Sequence, residues 1–123
     1  MKFYKINFPN SIYIIHHEQY KKILEIECYS YKEYLGENTQ LFEYPLPNEL
    51  LGNKMCIGNQ SRMIENKKIV ETLNRIIYCP YSHDRFSGIY GFSNSAPYFE
   101  YLEKNPFPYD KMKSLNRKLK DVL

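Results

Sequence analysis

Tyr4, Ile6 and Phe8 alternate with polar neighbours over residues 2–8, which predicts a half-buried strand ending at Pro9-Asn10. The β-branched and aromatic run Ile12-Tyr13-Ile14-Ile15 follows across those turn residues, so segments 2–8 and 11–16 together predict an N-terminal hairpin. From Glu18 the period changes. Tyr20, Ile23, Leu24, Glu27, Tyr31, Tyr34 and Leu35 fall mostly at helical spacing, and Gly36 stands where a helix C-cap belongs, which predicts a helix over 18–35.

Between 37 and 62 the residues Pro45, Pro47, Gly52 and Gly58 interrupt every periodic pattern, leaving loop with a helical turn at Asn48–Leu51 and a short strand near Met55–Ile57. A second helix is expected from Ser61 to Tyr78. Its buried face would carry Ile69, Val70, Leu73, Ile76 and Ile77, and Pro80 would stop it. After an irregular segment over 80–97, Ser95 is placed to cap a short helix with Pro97 in its first turn, ended by Asn105-Pro106. A last, basic helix is expected from Asp110, with Met112, Leu115, Leu119 and Val122 as its apolar stripe. These elements predict an α+β fold, a single small helix-rich domain over residues 1–123 with a minor antiparallel sheet that includes the N-terminal hairpin.

A length of 123 residues fits one domain, and 43% hydrophobic with 25% charged residues is the composition of a chain that folds. The N-terminus carries no signal-like apolar run and no segment is long enough to cross a membrane, so a cytoplasmic location with no membrane partner is expected. Three widely spaced cysteines, Cys28, Cys56 and Cys79, point to reduced thiols rather than a disulfide framework. The net charge is only +3, but it is distributed unevenly. Seven Glu, among them Glu33, Glu37 and Glu43, face three Lys between residues 18 and 51, whereas Lys111, Lys113, Arg117, Lys118 and Lys120 dominate the last fourteen positions.

Metal sites show local pairs such as C-x₂-C or H-E-x-x-H, and none occurs; His16 and His17 are adjacent and would point to opposite faces of a strand. No metal and no cofactor are expected. Cys79, His83 and Asp84 have the residue types of a thiol dyad, although sequence proximity does not supply its geometry. A ribonuclease working by acid–base chemistry would draw on His83, Arg85, Tyr81 and Tyr90, with His17 as a second acid or base. Gly88-Ile89-Tyr90 is similar to the first half of a GIY-YIG nuclease motif, but the second half is missing. No catalytic residue is assigned.

The most unusual property is the ring content, thirteen Tyr and seven Phe with no Trp. Tyr81, Phe86, Tyr90, Phe92, Tyr98 and Tyr101 crowd a Gly/Ser-rich stretch and short helix, and are expected to anchor a protein partner, with Glu33, Glu37 and Glu43 supplying charge. In style the short, Lys/Asn/Ile/Tyr-rich chain is similar to bacterial immunity proteins and phage-encoded inhibitors, with no shared motif. That resemblance implies a non-enzymatic inhibitor or immunity protein that blocks a toxin or nuclease. The alternative is a small nucleic-acid-binding protein or ribonuclease that uses the basic C-terminal helix and the His83 loop. The overall positive charge counts against an inhibitor of a nuclease, because such inhibitors tend to be acidic, but at +3 it is too modest to argue for nucleic acid on its own.

Overall fold

The computed structural model of the protein describes residues 5–47, 49–50, 52–58, 60–78 and 89–123. Six short strands form one sheet: β1 (Ser11–Glu18), β2 (Lys22–Ser30), β3 (Gln40–Phe42), β4 (Glu49–Leu50), β5 (Lys54–Met55) and β6 (Ser114–Lys118). Among the described residues two α-helices accompany the sheet, α1 (Ile69–Ile77) and α2 (Ser95–Lys104), with short 3-10 turns between elements. The fold is a small α+β one. The helix-rich expectation fails, because two of the four expected helices are strands and the sheet spans the chain from Ser11 to Lys118.

The central element is β2. Its whole length pairs antiparallel with β1, while β5 meets it opposite Glu27 and β3 opposite Ser30. β4 extends the sheet beyond β5, and β6 extends it beyond β3. The hairpin is therefore 11–30, not 2–16. Residues 5–10 form no strand and instead run beside α2, where the Asn7 backbone and side-chain amides donate to the Leu102 carbonyl at 2.9 and 3.0 Å.

The helix expected over 18–35 fails for an identifiable reason. His16 pairs with Glu25 but His17 pairs with Ile23, so Leu24 is an extra residue bulging out of β2. The bulge moves the inward phase by one position, so Ile23 and Ile26, three apart, are both fully buried. Their helical spacing is the signature of a bulged strand. Arg62 Nη1 donates to the Leu24 carbonyl at 2.8 Å, and half of the Leu24 residue surface remains exposed.

A similar device hides β6. Gln40 pairs with Lys118 and Phe42 with Ser114, so β6 spends more residues than its partner, and Asn116 turns left-handed at φ 55°. Met112, Leu115 and Leu119 thereby acquire helical spacing without a helix. The turn expected at 48–51 contains the strand β4, and the expected strand at 55–57 is β5, one residue earlier.

α1 begins at Ile69 rather than Ser61, after a short 3-10 turn. Ile76 and Ile77 are buried and Ile69 and Leu73 partly so, but Val70 is 64% exposed and is not part of the buried face. α2 forms where expected, with Asn94 rather than Ser95 at the N-cap position and Asn105 closing it through a backbone bond to Tyr101. The main core lies between one sheet face and the helices: Ile23, Ile26 and Cys28 pack with Ile76, Tyr98 and Leu102. Glu25, Glu27 and Tyr29 alternate with these and lie on the opposite face.

Candidate functional site

Of the six rings expected to anchor a partner, Tyr81 and Phe86 lie outside the described residues. The other four pack mainly on one another. Ile89 and Phe92 close a tight turn through reciprocal backbone hydrogen bonds of 3.1 and 2.9 Å, with Tyr90 at φ 51° and Gly91 at φ 87°. Two left-handed central residues give the turn its hairpin twist, and only Gly takes that conformation freely. Tyr90 packs edge-on against Tyr98 and Phe107, while Phe92 meets Tyr98 and Tyr101, all with ring centroids within 6.2 Å. Tyr98 is fully buried and donates its hydroxyl to the Pro45 carbonyl at 2.7 Å, so it supports the fold and offers no contact surface. Tyr90, Phe92 and Tyr101 remain partly accessible.

Glu43 does join Tyr90. Together with Tyr44, Pro45, Ile89 and Lys113 they line a half-open cleft of about 80 Å³. Small-molecule sites usually enclose roughly 300–1,000 Å³, so this cleft has room for one side chain at most. Burial, followed by the Glu43 charge, pushes the neighbouring Glu49 carboxyl up to about 7, against a hydrogen bond from the Tyr44 backbone. Burial, with Glu43 and Asp110, likewise pushes the Tyr90 hydroxyl up to about 12.

Glu33 and Glu37 lie elsewhere, in the loop that leaves β2. Glu33 lies in no helix and Glu37 only in a single 3-10 turn (Gly36–Asn38), and both are exposed. Between them Tyr34 is 64% and Leu35 54% exposed. The loop is nonetheless fixed: Thr39, fully buried, accepts the Leu35 N–H on its hydroxyl at 2.8 Å and donates that hydroxyl to the Gly36 carbonyl at 2.7 Å. Asn38 N–H bonds the Leu35 carbonyl at 3.2 Å, and Gly36 at φ +59° makes the left-handed step that the turn needs. Tyr31 packs edge-on against Tyr34, and the Lys32 ammonium lies 5.0 Å above the Phe42 ring.

A further constellation was not legible in the sequence. On the sheet face away from the helices, Glu27 binds His16 Nε2 at 2.6 Å through one carboxylate oxygen and accepts the Tyr29 hydroxyl at 2.6 Å through the other. Burial opposes ionisation of Glu27, but the bonds from Tyr29 and His16 and the charges of His16 and Arg117 outweigh it and hold the carboxyl below its usual range. Burial and the hydrogen bond to Glu27 push the Tyr29 hydroxyl up. Reading 22–30 as a strand would have exposed the signal, since Glu25, Glu27 and Tyr29 then share a face with His16 as cross-strand neighbour.

Among the described residues no group of three His, Cys, Asp or Glu side chains could hold a metal ion. Cys79, His83 and Asp84 lie outside them, as does Arg85. His17 is engaged locally, its Nδ1 accepting the Tyr20 N–H at 3.1 Å. Cys28 and Cys56 are free thiols, and burial pushes that of Cys28 up. No described helix is long and apolar enough to cross a membrane. No family model, curated protein or solved structure matches the chain.

Proposed function

We propose that the protein is a non-enzymatic binding module that occludes a protein partner stoichiometrically, as an inhibitor or immunity protein does to a toxin or nuclease, in the cytoplasm. The observation that carries this reading is the exposure of Tyr34 and Leu35 between Glu33 and Glu37, on a loop already held by Thr39. Large apolar side chains on a fixed loop lose little entropy on docking, and buried rings at the centre of an interface carry most of its energy. The two carboxylates steer the loop toward a basic cleft. Glu43 and Tyr90 sit at a separate cleft and form a secondary contact.

The test is titration of the protein against a partner isolated with it from its native host. One equivalent should abolish the partner's activity, and Tyr34→Ala with Leu35→Ala should weaken binding at least about tenfold while the melting midpoint holds. Unchanged affinity in that double variant would refute the loop as the contact.

A second reading, nucleic-acid binding, is favoured by the exposed Lys111, Lys113, Arg117, Lys118 and Lys120. The basic segment is a sheet strand with flanking turns rather than a helix, and it shares its sheet with His16 and Glu27. Binding to RNA that falls steeply with added salt is the expected behaviour on this reading.

A further inference from the structure

His16 stands at the bulge between β1 and β2, a feature that recurs where a strand re-aims a side chain beside a site. Its side chain is 48% exposed, against 19% for Glu27. The contact with an ionised carboxylate makes Nε2 a donor, so in the neutral imidazole Nδ1 carries the lone pair, and no described residue hydrogen-bonds to it. Glu27 is itself fixed by Tyr29, which is almost fully buried. The three side chains thus form a relay whose outer end is a half-exposed imidazole, oriented by a buried inner end. Arg117, exposed on β6, lies close enough for its charge to act on both Glu27 and Tyr29.

A base and a cation that act on the same carboxylate suit a polyanionic ester that carries its own nucleophile. RNA is such a substrate, because its 2′-hydroxyl needs only deprotonation and the phosphate only charge neutralisation. We propose that His16 is the general base of an RNA-cleaving site on the sheet face away from the helices, with Glu27 and Tyr29 as positioning residues and Arg117 binding the scissile phosphate. The inference rests on the second reading above, that the basic strand receives nucleic acid. In the step, His16 Nδ1 takes the 2′-hydroxyl proton and the 2′-oxygen bonds to phosphorus. The bond from phosphorus to the 5′-oxygen breaks, and that oxygen takes a proton from water. The products are a 2′,3′-cyclic phosphate and a free 5′-hydroxyl. Glu27 balances the imidazolium that forms, and the relay returns to its starting state when Nδ1 releases its proton to solvent. A partner docked at Tyr34 and Leu35 is then a regulator of this activity rather than its target.

The experiment uses the full chain with an end-labelled single-stranded oligoribonucleotide and the same sequence fully 2′-O-methylated, measuring binding and cleavage separately in the presence of a chelator. The unmodified strand should be cut to cyclic-phosphate ends, while the methylated strand binds equally and stays whole. His16→Ala should lower cleavage by about 100-fold or more, leave binding unchanged, and be partly rescued by added imidazole. Glu27→Gln and Tyr29→Phe should lower kcat and move the pH–rate profile without changing the affinity, and Arg117→Ala should weaken binding. Binding without cleavage overturns the proposal and leaves the nucleic-acid reading standing, whereas neither binding nor cleavage overturns both. Cleavage that survives in His16→Ala, or that yields 5′-phosphate ends, also overturns it.

Discussion

The Tyr98 hydroxyl donates to the Pro45 carbonyl at 2.7 Å across 53 residues of sequence, tying α2 to the loop that follows β3. Both groups are buried, so the carbonyl has no access to solvent if the donor is removed. Tyr98→Phe should therefore lower stability by roughly 1–3 kcal/mol, the usual penalty for an orphaned buried acceptor, in chemical denaturation with an unchanged m-value. Tyr98→Ala should remove more, about 3–5 kcal/mol, because it also empties the space between Tyr90, Phe92 and Phe99. A Tyr98→Phe variant as stable as the parent would mean that the bond is not formed.

α1 offers a paired test of its buried face. Ile76 is fully buried and Val70 is 64% exposed, although both belong to one apolar repeat. Ile76→Ala should lower stability by about 2–5 kcal/mol, while Val70→Ala should stay within about 0.5 kcal/mol. Equal effects would show that the helix is rotated about its axis. Leu73, half-buried, should fall between the two.

What was legible follows from how local the signal was. α2 could be read because Pro97, Asn105 and Pro106 mark its ends by backbone chemistry alone. β2 and β6 could not, because the Leu24 bulge and the left-handed Asn116 each shift the inward phase and turn a two-residue repeat into a helical one. The same phase shifts decide which candidate residues come together. Tyr90 and Glu43 were both named, and the fold brings them to one cleft, whereas Tyr34 and Leu35 were assigned to a helix and their exposure could not be foreseen. His16 was visible, but its partners Glu27 and Tyr29 become neighbours only once residues 22–30 are a strand.

Glu49 and Glu27 should give stability opposite slopes with pH. Glu49 titrates near 7 in the folded chain against 4.5 when unfolded, so the folded state holds a proton that the unfolded state has released. Stability from this group is fully present below 4.5 and is lost as the pH rises through about 7. Glu27 is shifted downward, so its contribution is present above its ordinary value of 4.5 and is lost as the pH falls through its lower folded value. Unfolding free energies measured across this range should show Glu49→Gln removing the decline toward neutral pH, and Glu27→Gln reducing the loss in acid. A Glu49→Gln profile parallel to that of the parent would place the Glu49 carboxyl in water.

The loop from Tyr31 to Thr39 should separate binding from stability. Tyr34 and Leu35 touch solvent over more than half of their surface, so truncating either removes little packing and should change stability by no more than about 0.5 kcal/mol. Thr39 is different: its hydroxyl accepts from Leu35 and donates to Gly36, and it is fully buried. Thr39→Val keeps the shape and removes both side-chain bonds; the Gly36 carbonyl keeps the Thr39 backbone N–H at 3.1 Å, but the Leu35 N–H loses its acceptor, so about 1–3 kcal/mol of stability should go. On the inhibitor reading the same variant also weakens the partner complex, since an unfixed loop must be ordered on docking. Measured by calorimetry, that loss should fall mainly in the entropy of binding, whereas Tyr34→Ala should lose affinity with stability intact. Full affinity in Thr39→Val, alongside its lower stability, would mean that the rigidity of the loop serves the fold alone.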